Sequence, residues 1–174
     1  SKFIGGGDEY KDRTSKILAK IKKDRQTNSK LFEKDHKNYW DKLSRIDNDT
    51  AHKVSKEIVN FAKENNVKII SMAKQEEDAS FFKRRVGTHS TIYLRHKIIS
   101  YLQYKTFKEG LLITTVRPNY TASKCYKCRS KIKRIGTKEF ICEEGHAGNY
   151  YFNTAMNIGL MCLKKFGKIN KTKT

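Results

Sequence analysis

Two short segments decide how this chain folds: "KCYKC", residues 124–128, and "FICEEGHAGNYYFNTAMNIG", residues 140–159. Two residues separate Cys125 from Cys128, and thirteen residues separate Cys128 from Cys142. A Cys-x2-Cys pair lets two thiolates reach one tetrahedral ion while backbone amides bond to the sulfur atoms. Three thiolates at this spacing indicate a structural zinc site that needs one more ligand.

The fourth ligand has three candidates. His146 follows the third cysteine at a workable range and offers an imidazole nitrogen. Glu144 is the second candidate, because carboxylates are less usual ligands of structural zinc. Cys162 is the third, since it falls on the apolar face of the last predicted helix, which favours packing as a small hydrophobic residue. The sequence therefore predicts one zinc ion held by Cys125, Cys128, Cys142 and His146, with Glu144 as the alternative fourth ligand.

The thirteen residues before the third cysteine, 129–141, predict a hairpin, because Gly136 separates two short β-capable runs. The surrounding insert is rich in cations, and Tyr120 and Tyr126 are interleaved with them. Cations beside aromatic rings suit contacts with phosphates and stacking on bases. The predicted nucleic-acid-binding residues are Lys124, Lys127, Arg129, Lys131, Lys133, Arg134 and Lys138, together with Lys83, Arg84 and Arg85 in a loop before the insert.

Outside the insert, helical and strand patterns alternate along the chain. The second helical region has a possible break at "IDNDT", 46–50, because Asn and Asp favour caps and turns over helix interiors. The predicted elements, in chain order, are helices over 9–26 and 31–65, a strand over 67–72, a helix from Ser90 or Thr91 to Lys108 that Gly110 stops, a strand over 111–118, and a helix from Asn153 to Gly167 followed by a frayed tail. This order predicts an α/β fold with a small module inserted between a strand and a helix.

The periodicity of the last two helices also predicts which side chains face the core. Apolar residues recur at three- and four-residue spacing, which is typical of a buried helix face. The predicted inward residues include Ile98, Ile99, Leu102 and Phe107 in the first of these helices, and Ala155, Ile158, Cys162, Leu163 and Phe166 in the second.

Charge is the strongest bulk property of the chain. Its 38 Lys and Arg residues against 18 Asp and Glu residues give a formal net charge of +20. A positive field of that size favours polyanionic partners, of which nucleic acid is the commonest. No run of 18 or more apolar residues exists and the start lacks the apolar region of a signal peptide, so we expect a cytoplasmic protein without membrane contact. Four cysteines in a reducing compartment favour metal binding over disulfides.

The segments "VRPNYTASKCYKC", "FICEEGH" and "FNTAMNIG" together resemble the C-terminal part of the TnpB proteins, transposon-encoded relatives of type V CRISPR effectors. "DTAHKVSKEIVNFAKENNVKII" is similar to the helix and strand that carry a catalytic carboxylate in that family. The likeness covers most of residues 45–160. It implies a partial RNase H-like (RuvC) core with long helices and an inserted zinc ribbon, and a protein that works with a guide RNA on target DNA.

The departures from the family pattern concern catalysis. The resemblance places the family's catalytic glutamate at Ser71, or at Ala73 if the register slips by two, and its catalytic aspartate at Tyr151. The first catalytic aspartate of the family would precede residue 1. Neither a hydroxyl nor a phenol replaces a carboxylate as a magnesium ligand, so we expect no Mg²⁺ site here. Glu76, Glu77 and Asp78 form the one acidic group nearby that could substitute for a lost carboxylate, although a solvated loop is the simpler interpretation.

Three functions fit this sequence. The first is a nuclease-inactive, RNA-guided DNA-binding protein, or the C-terminal part of one, that acts as a transcriptional repressor in a prokaryotic cell. The second is an active RNA-guided DNA endonuclease with rearranged carboxylates, and the third is a zinc-ribbon nucleic-acid-binding module that needs no guide. The predicted domains are a helical segment over 1–66, a RuvC-like strand, helix and strand over 67–118, the zinc ribbon over 119–148, and a final helix and tail over 149–174.

Overall fold

A computed structural model describes residues 7–28, 33–74 and 91–171. The predicted contacts of Lys83, Arg84 and Arg85, and the acidic group of Glu76, Glu77 and Asp78, therefore lie outside the described residues. The chain divides into two compact units, which we call the helical unit (residues 1–68 and 77–111) and the ribbon unit (residues 69–76 and 112–174). The division of the sequence into four domains stays a prediction.

In the described residues, the helical unit contains three α-helices. They are α1 (Gly7–Thr27), α2 (Lys37–Glu64), which a short 3-10 helix (Glu33–His36) precedes, and α3 (Thr91–Lys108). Its buried apolar cluster takes residues from two of them: Tyr10, Ile17 and Ile21 from α1, and Leu43 and Ile46 from α2. The predicted helix that ends at Lys108 is confirmed, and Gly110 has the positive φ of 66° expected of a helix stop.

The break predicted at residues 46–50 is wrong, because α2 runs through it without interruption. Asp47 is fully buried, and its carboxylate accepts a hydrogen bond of 2.9 Å from the hydroxyl of Tyr10. A side chain that is bonded to another helix no longer competes for the backbone of its own helix, which removes the reason for a break. The prediction that Phe107 faces inward is also wrong, since this residue is 85% exposed.

The described part of the ribbon unit contains two small sheets and one helix. Strands β1 (Ile69–Ala73) and β2 (Leu112–Val116) pair in parallel, with Ser71 opposite Thr114. Strands β3 (Ile132–Ile135), β4 (Glu139–Cys142) and β5 (Ala147–Asn149) form an antiparallel sheet in that order. The predicted hairpin is confirmed, and Gly136 lies in its turn with a φ of 59°. The sequence pattern did not predict β5.

The final helix, α4 (Tyr150–Lys171), begins three residues before the predicted start at Asn153. Asn149 explains the difference, because its side-chain oxygen accepts hydrogen bonds from the backbone amides of Tyr151 and Phe152 and so caps the helix. The helix also continues past the predicted stop at Gly167. Ala155 and Leu163 are exposed and not inward-facing, while Cys162 is buried as predicted.

The mixed α/β fold expected from the sequence is confirmed. No helix in the described part of the chain combines the length and apolarity that a membrane crossing requires.

Candidate metal centre and basic ribbon

The ribbon brings four potential metal ligands together. Cys125, Cys128, Cys142 and His146 each direct one donor atom into the same site, and these atoms all lie within 4.8 Å of one another. The Cys128 and Cys142 sulfur atoms are 3.6 Å apart, and Nδ1 of His146 lies 3.4 Å from the sulfur of Cys142. In a tetrahedral zinc site with Zn–S of about 2.3 Å, neighbouring ligand atoms are about 3.5–3.8 Å apart. The donor set therefore fits zinc, and a bound ion would draw the more widely spaced donor atoms together.

The geometry decides between the three candidates for the fourth ligand. His146 belongs to the ligand group, whereas neither Glu144 nor Cys162 joins it among the described residues. The reason is the turn after β4: the amide of His146 donates to the Cys142 sulfur at 3.2 Å, and Gly145 takes a φ of 78°. This turn directs the imidazole back toward the thiolates and leaves Glu144 exposed.

The first cysteine pair lies in a knuckle closed by backbone hydrogen bonds. The amide of Cys125 donates to the carbonyl of Ser130 at 2.9 Å, and the amide of Arg129 donates to the carbonyl of Cys125 at 3.0 Å. Arg129 adopts a φ of 70°, which is uncommon for a residue with a side chain. The tight turn brings the sulfur atoms of Cys125 and Cys128 into the same ligand group.

Hydrogen bonds prepare two of the thiols for metal binding. The hydroxyl of Ser130 lies 3.0 Å from the Cys128 sulfur and is the main cause that lowers the pKa of Cys128 to about 6. Burial would raise the pKa of Cys142, but hydrogen bonds from Ser130 and His146 outweigh it, so that this pKa is lowered as well. Burial raises the pKa of the Cys125 thiol. Because thiolates are the metal-binding form, the polar groups around the site favour its loading.

Two asparagines of α4 hold the knuckle, a role that the sequence pattern did not predict. Asn153 accepts a hydrogen bond of 2.9 Å from the amide of Tyr126 and donates to the carbonyl of Lys124 at 2.9 Å. Asn157 donates to the carbonyls of Thr121 and Lys124 at 3.0 and 2.7 Å. Both side chains are fully buried. Their four-residue spacing within "FNTAMNIG" was the available signal, because residues at i and i+4 share one helix face.

The basic residues of the ribbon have different surroundings. Arg129 donates from Nη1 to the Asn157 side-chain oxygen at 2.7 Å, so it takes part in the same network. Lys124 and Lys127 each lie over a tyrosine ring, at 5.2 Å from the Tyr120 centroid and 5.9 Å from the Tyr126 centroid. Lys127, Lys131, Lys133, Arg134 and Lys138 are exposed. Their role in nucleic-acid binding stays a prediction.

The two positions that the resemblance assigns to catalytic acids both lie in the ribbon unit. Ser71 is in the middle of β1, where its hydroxyl oxygen is buried without a hydrogen-bond partner in the described part of the chain. Tyr151 is in the first turn of α4 and is 52% exposed. Its hydroxyl accepts a hydrogen bond of 3.3 Å from Nη2 of Arg134.

An α/β protein with a Cys3His ribbon between a strand and its last helix is the class that this fold and site define. Residues 96–158 match the family model described as Cas12f1-like, TNB domain. The chain is 28% identical over 146 residues to a TnpB-like protein of Aquifex aeolicus (strain VF5), which covers 78% of this chain and 48% of that relative. It is 27% identical over 128 residues to the CRISPR-associated endodeoxyribonuclease Cas12f1 of Sulfoacidibacillus thermotolerans, which covers 72% of this chain and 29% of that relative.

A solved structure has a similar fold. The cryo-EM structure of a Cas12f1–sgRNA–target DNA complex superposes with a TM-score of 0.65 at 21% identity, and covers 91% of this chain and 43% of that one. The chain is thus related to the TnpB and Cas12f1 proteins, which confirms the resemblance found in its sequence. It spans less than half the length of these relatives.

Proposed function

We propose that this chain is a nuclease-inactive, TnpB-like RNA-guided DNA-binding protein, or the C-terminal part of one. The observation that carries the proposal is chemical: the two positions that the resemblance assigns to catalytic acids hold Ser71 and Tyr151. A two-metal nuclease needs carboxylate oxygens that hold divalent ions and so activate water and stabilise the leaving group. A hydroxyl and a phenol lack the carboxylate oxygens that Mg²⁺ prefers and are poor ligands for this ion.

The surroundings of Tyr151 support the loss of metal binding. The guanidinium of Arg134, which carries a full positive charge, donates to the Tyr151 hydroxyl at 3.3 Å. A divalent cation next to that hydroxyl would be repelled by this charge at short range.

Loss of cleavage leaves the binding functions intact. Nucleic-acid binding depends on a positive surface and on the fold, and the ribbon offers seven Lys and Arg against three Glu over residues 119–148. In RNA-guided systems the guide reads the DNA sequence by base pairing, while the protein holds the backbone. The solved relative is a complex with sgRNA and target DNA. We propose the same partners here, with a structural zinc in the ribbon, and a bound complex in the cytoplasm of a prokaryotic cell that obstructs transcription.

The test uses the full-length protein purified together with its RNA. Sequencing of the bound RNA identifies the guide, and a duplex that contains the matching sequence is then incubated with the complex and Mg²⁺. We expect a gel shift of the matched duplex and no cleaved strands. Cleaved strands would overturn the inactive assignment, and recovery of no discrete RNA would favour a ribbon module that needs no guide.

A second candidate is an active endonuclease. Two observations favour it: one relative is named as an endodeoxyribonuclease, and Glu76, Glu77 and Asp78 follow β1 in the sequence. In the same assay this candidate predicts cleavage that is lost in the variants Glu76→Ala or Glu77→Ala. The absence of cleavage under conditions in which the matched duplex is bound would exclude it.

A further inference from the structure

Arg134 is held in a fixed position over the start of α4. The centre of its guanidinium lies 4.4 Å from the Tyr150 ring centroid and 5.7 Å from that of Tyr151. Its Nη2 donates to the carbonyl of Thr137 at 2.5 Å and to the Tyr151 hydroxyl at 3.3 Å. The two tyrosine rings meet edge to face, with centroids 5.6 Å apart. We call Arg134, Tyr150 and Tyr151 the arginine–tyrosine cluster.

The cluster leaves hydrogen-bond donors available to a ligand. A guanidinium has five N–H donors, and both bonds of Arg134 use Nη2, so the donors of Nε and Nη1 make no hydrogen bond to the described residues. No carboxylate forms an ion pair with Arg134 there either: each ion pair found among the described residues lies in the helical unit. The positive charge is thus positioned but not neutralised.

The alternative interpretation is that Arg134 has a structural role only and stabilises its hairpin through the hydrogen bond to Thr137. That alternative accounts for one hydrogen bond but not for the stacking on Tyr150 or the bond to Tyr151, which join β3 to α4. The lysine–tyrosine pairs of the ribbon are looser, with 5.2 and 5.9 Å from ammonium to ring centroid. An arginine that is fixed in advance loses less conformational entropy when it binds an anion, and guanidinium groups match phosphate oxygens well.

We infer that the arginine–tyrosine cluster binds a single nucleic-acid strand, with Arg134 on a backbone phosphate and the exposed ring of Tyr151 stacked on a base. This deepens the proposed function and rests on it. The resemblance places the family's metal-binding aspartate at Tyr151. In this chain the guanidinium of Arg134 lies beside that position and binds the anionic nucleic-acid backbone directly. Aromatic rings next to an arginine are the common means of holding unpaired strands without reading their sequence.

The exposure of Tyr151 favours a single strand over a duplex. About half of this residue's surface (52%) is open, whereas Tyr150 is partly buried against the cluster of Cys125, Phe140 and Cys142. A base can stack on an open ring only when it is not stacked inside a duplex, so the aromatic contribution applies to unpaired bases. The phosphate contact of Arg134 applies to either form of nucleic acid.

The test measures binding of the 174-residue chain to a fluorescein-labelled 20-nucleotide oligothymidylate by anisotropy at several salt concentrations. We expect Arg134→Ala to weaken binding by about five- to tenfold and to reduce the slope of log K against log salt by about 0.7, the value for one phosphate contact on a single strand. Lys164→Ala is the matched control, since Lys164 is an exposed cation of α4 outside the predicted nucleic-acid-binding residues and its loss removes the same charge. We expect its effect to be about twofold or less, because surface charges without fixed contacts contribute little.

Two further variants separate charge from geometry. Arg134→Lys keeps the charge but loses the guanidinium that lies over the Tyr150 ring. We expect log K to fall by about half as much as it does for Arg134→Ala. Tyr151→Ala should weaken binding of the oligothymidylate but leave binding of a 20-base-pair duplex within about twofold of wild type. Zinc content and far-UV circular dichroism of each variant verify that the ribbon is folded.

The outcomes distinguish this inference from the proposed function. If wild type binds the oligothymidylate and folded Arg134→Ala binds as well as Lys164→Ala, the cluster is not a binding site, and the proposed function stands. If the wild-type chain binds neither the single strand nor the duplex, the inference fails, and the proposed function is decided separately by the assay of the full-length protein with its RNA.

Discussion

The two units of this chain are stabilised in different ways. The helical unit buries apolar side chains, with Leu43 and Leu102 fully enclosed, and it contains all four ion pairs found among the described residues. The apolar cluster of the ribbon consists of two cysteines and Phe140. The largest fully buried side chains of the ribbon unit are those of Asn153 and Asn157. A core this small supplies little hydrophobic free energy, so the ribbon depends on its metal and on its hydrogen bonds. The cations of the ribbon form no ion pair with a carboxylate among the described residues, so they remain available to a ligand.

Removal of the metal should produce the largest difference in stability between the two units. Structural zinc contributes on the order of 10 kcal/mol to the folding of small ribbon-like sites, so we expect chelation or Cys128→Ser to unfold the ribbon while the helical unit persists. Hydrogen exchange measured by mass spectrometry checks this: peptides from 119–149 should lose protection and peptides from α2 should keep it. Cys162→Ser is the control, because this cysteine is buried outside the ligand group. Protection of the ribbon in a metal-free sample would contradict the prediction.

The second largest effect is expected in the helical unit. Leu43 is fully buried, and Leu43→Ala should lower the free energy of unfolding by about 2–5 kcal/mol through lost transfer energy and a residual cavity. Urea unfolding measures the loss, and zinc content should not change. Phe107→Ala, a larger truncation at a site that is 85% exposed, should stay within about 0.5 kcal/mol of wild type. Equal losses in the two variants would refute the assignment of Leu43 to the core and of Phe107 to the surface.

Asn157 tests the polar support of the ribbon. Asn157→Ala removes the side-chain partner of the Thr121 carbonyl and of Arg129 and one of the two side-chain partners of the Lys124 carbonyl, and we expect a cost of about 1–3 kcal/mol together with weaker zinc binding. Competition with a chromophoric chelator measures the zinc affinity. Asn157→Asp is informative because it keeps the acceptor for Arg129 and loses the donors to the carbonyls. An Asn157→Asp variant with wild-type zinc affinity would show that the carbonyl contacts are dispensable.

The smallest effect is expected at Tyr10. Tyr10→Phe removes the hydrogen bond to the buried Asp47 and should cost about 1–2 kcal/mol at neutral pH. Burial, and then the hydrogen bond to Asp47, raise the pKa of Tyr10 above its ordinary value near 10. The neutral phenol is therefore favoured in the folded state, so its contribution is complete below about pH 10 and is lost as the pH rises further. Urea unfolding at pH 8 and pH 11 should show a larger loss for wild type than for Tyr10→Phe; parallel losses would contradict this.

Local patterns in the sequence were sufficient for much of the site and the fold. The Cys-x2-Cys spacing, the glycine turn of the hairpin and the periodicity of α3 depend on residues close in the chain, so they could be interpreted without coordinates. The break wrongly expected in α2 shows the effect of a distant partner, because Asp47 remains helical when Tyr10, 37 residues away, bonds its side chain. The early start of α4 is a different kind of error, since Asn149 caps the helix from two and three residues away and this signal was present in the local sequence.

By itself, the sequence determined the three thiolate ligands, the relationship to TnpB proteins and the absence of carboxylates at positions 71 and 151. Only the tertiary structure selected His146 over Glu144, assigned Asn153 and Asn157 to the knuckle, and brought Arg134 onto Tyr150 and Tyr151. The physical reason is that residue identity defines which chemistry is available, whereas contacts between residues far apart in the chain depend on the path that the folded backbone takes between them.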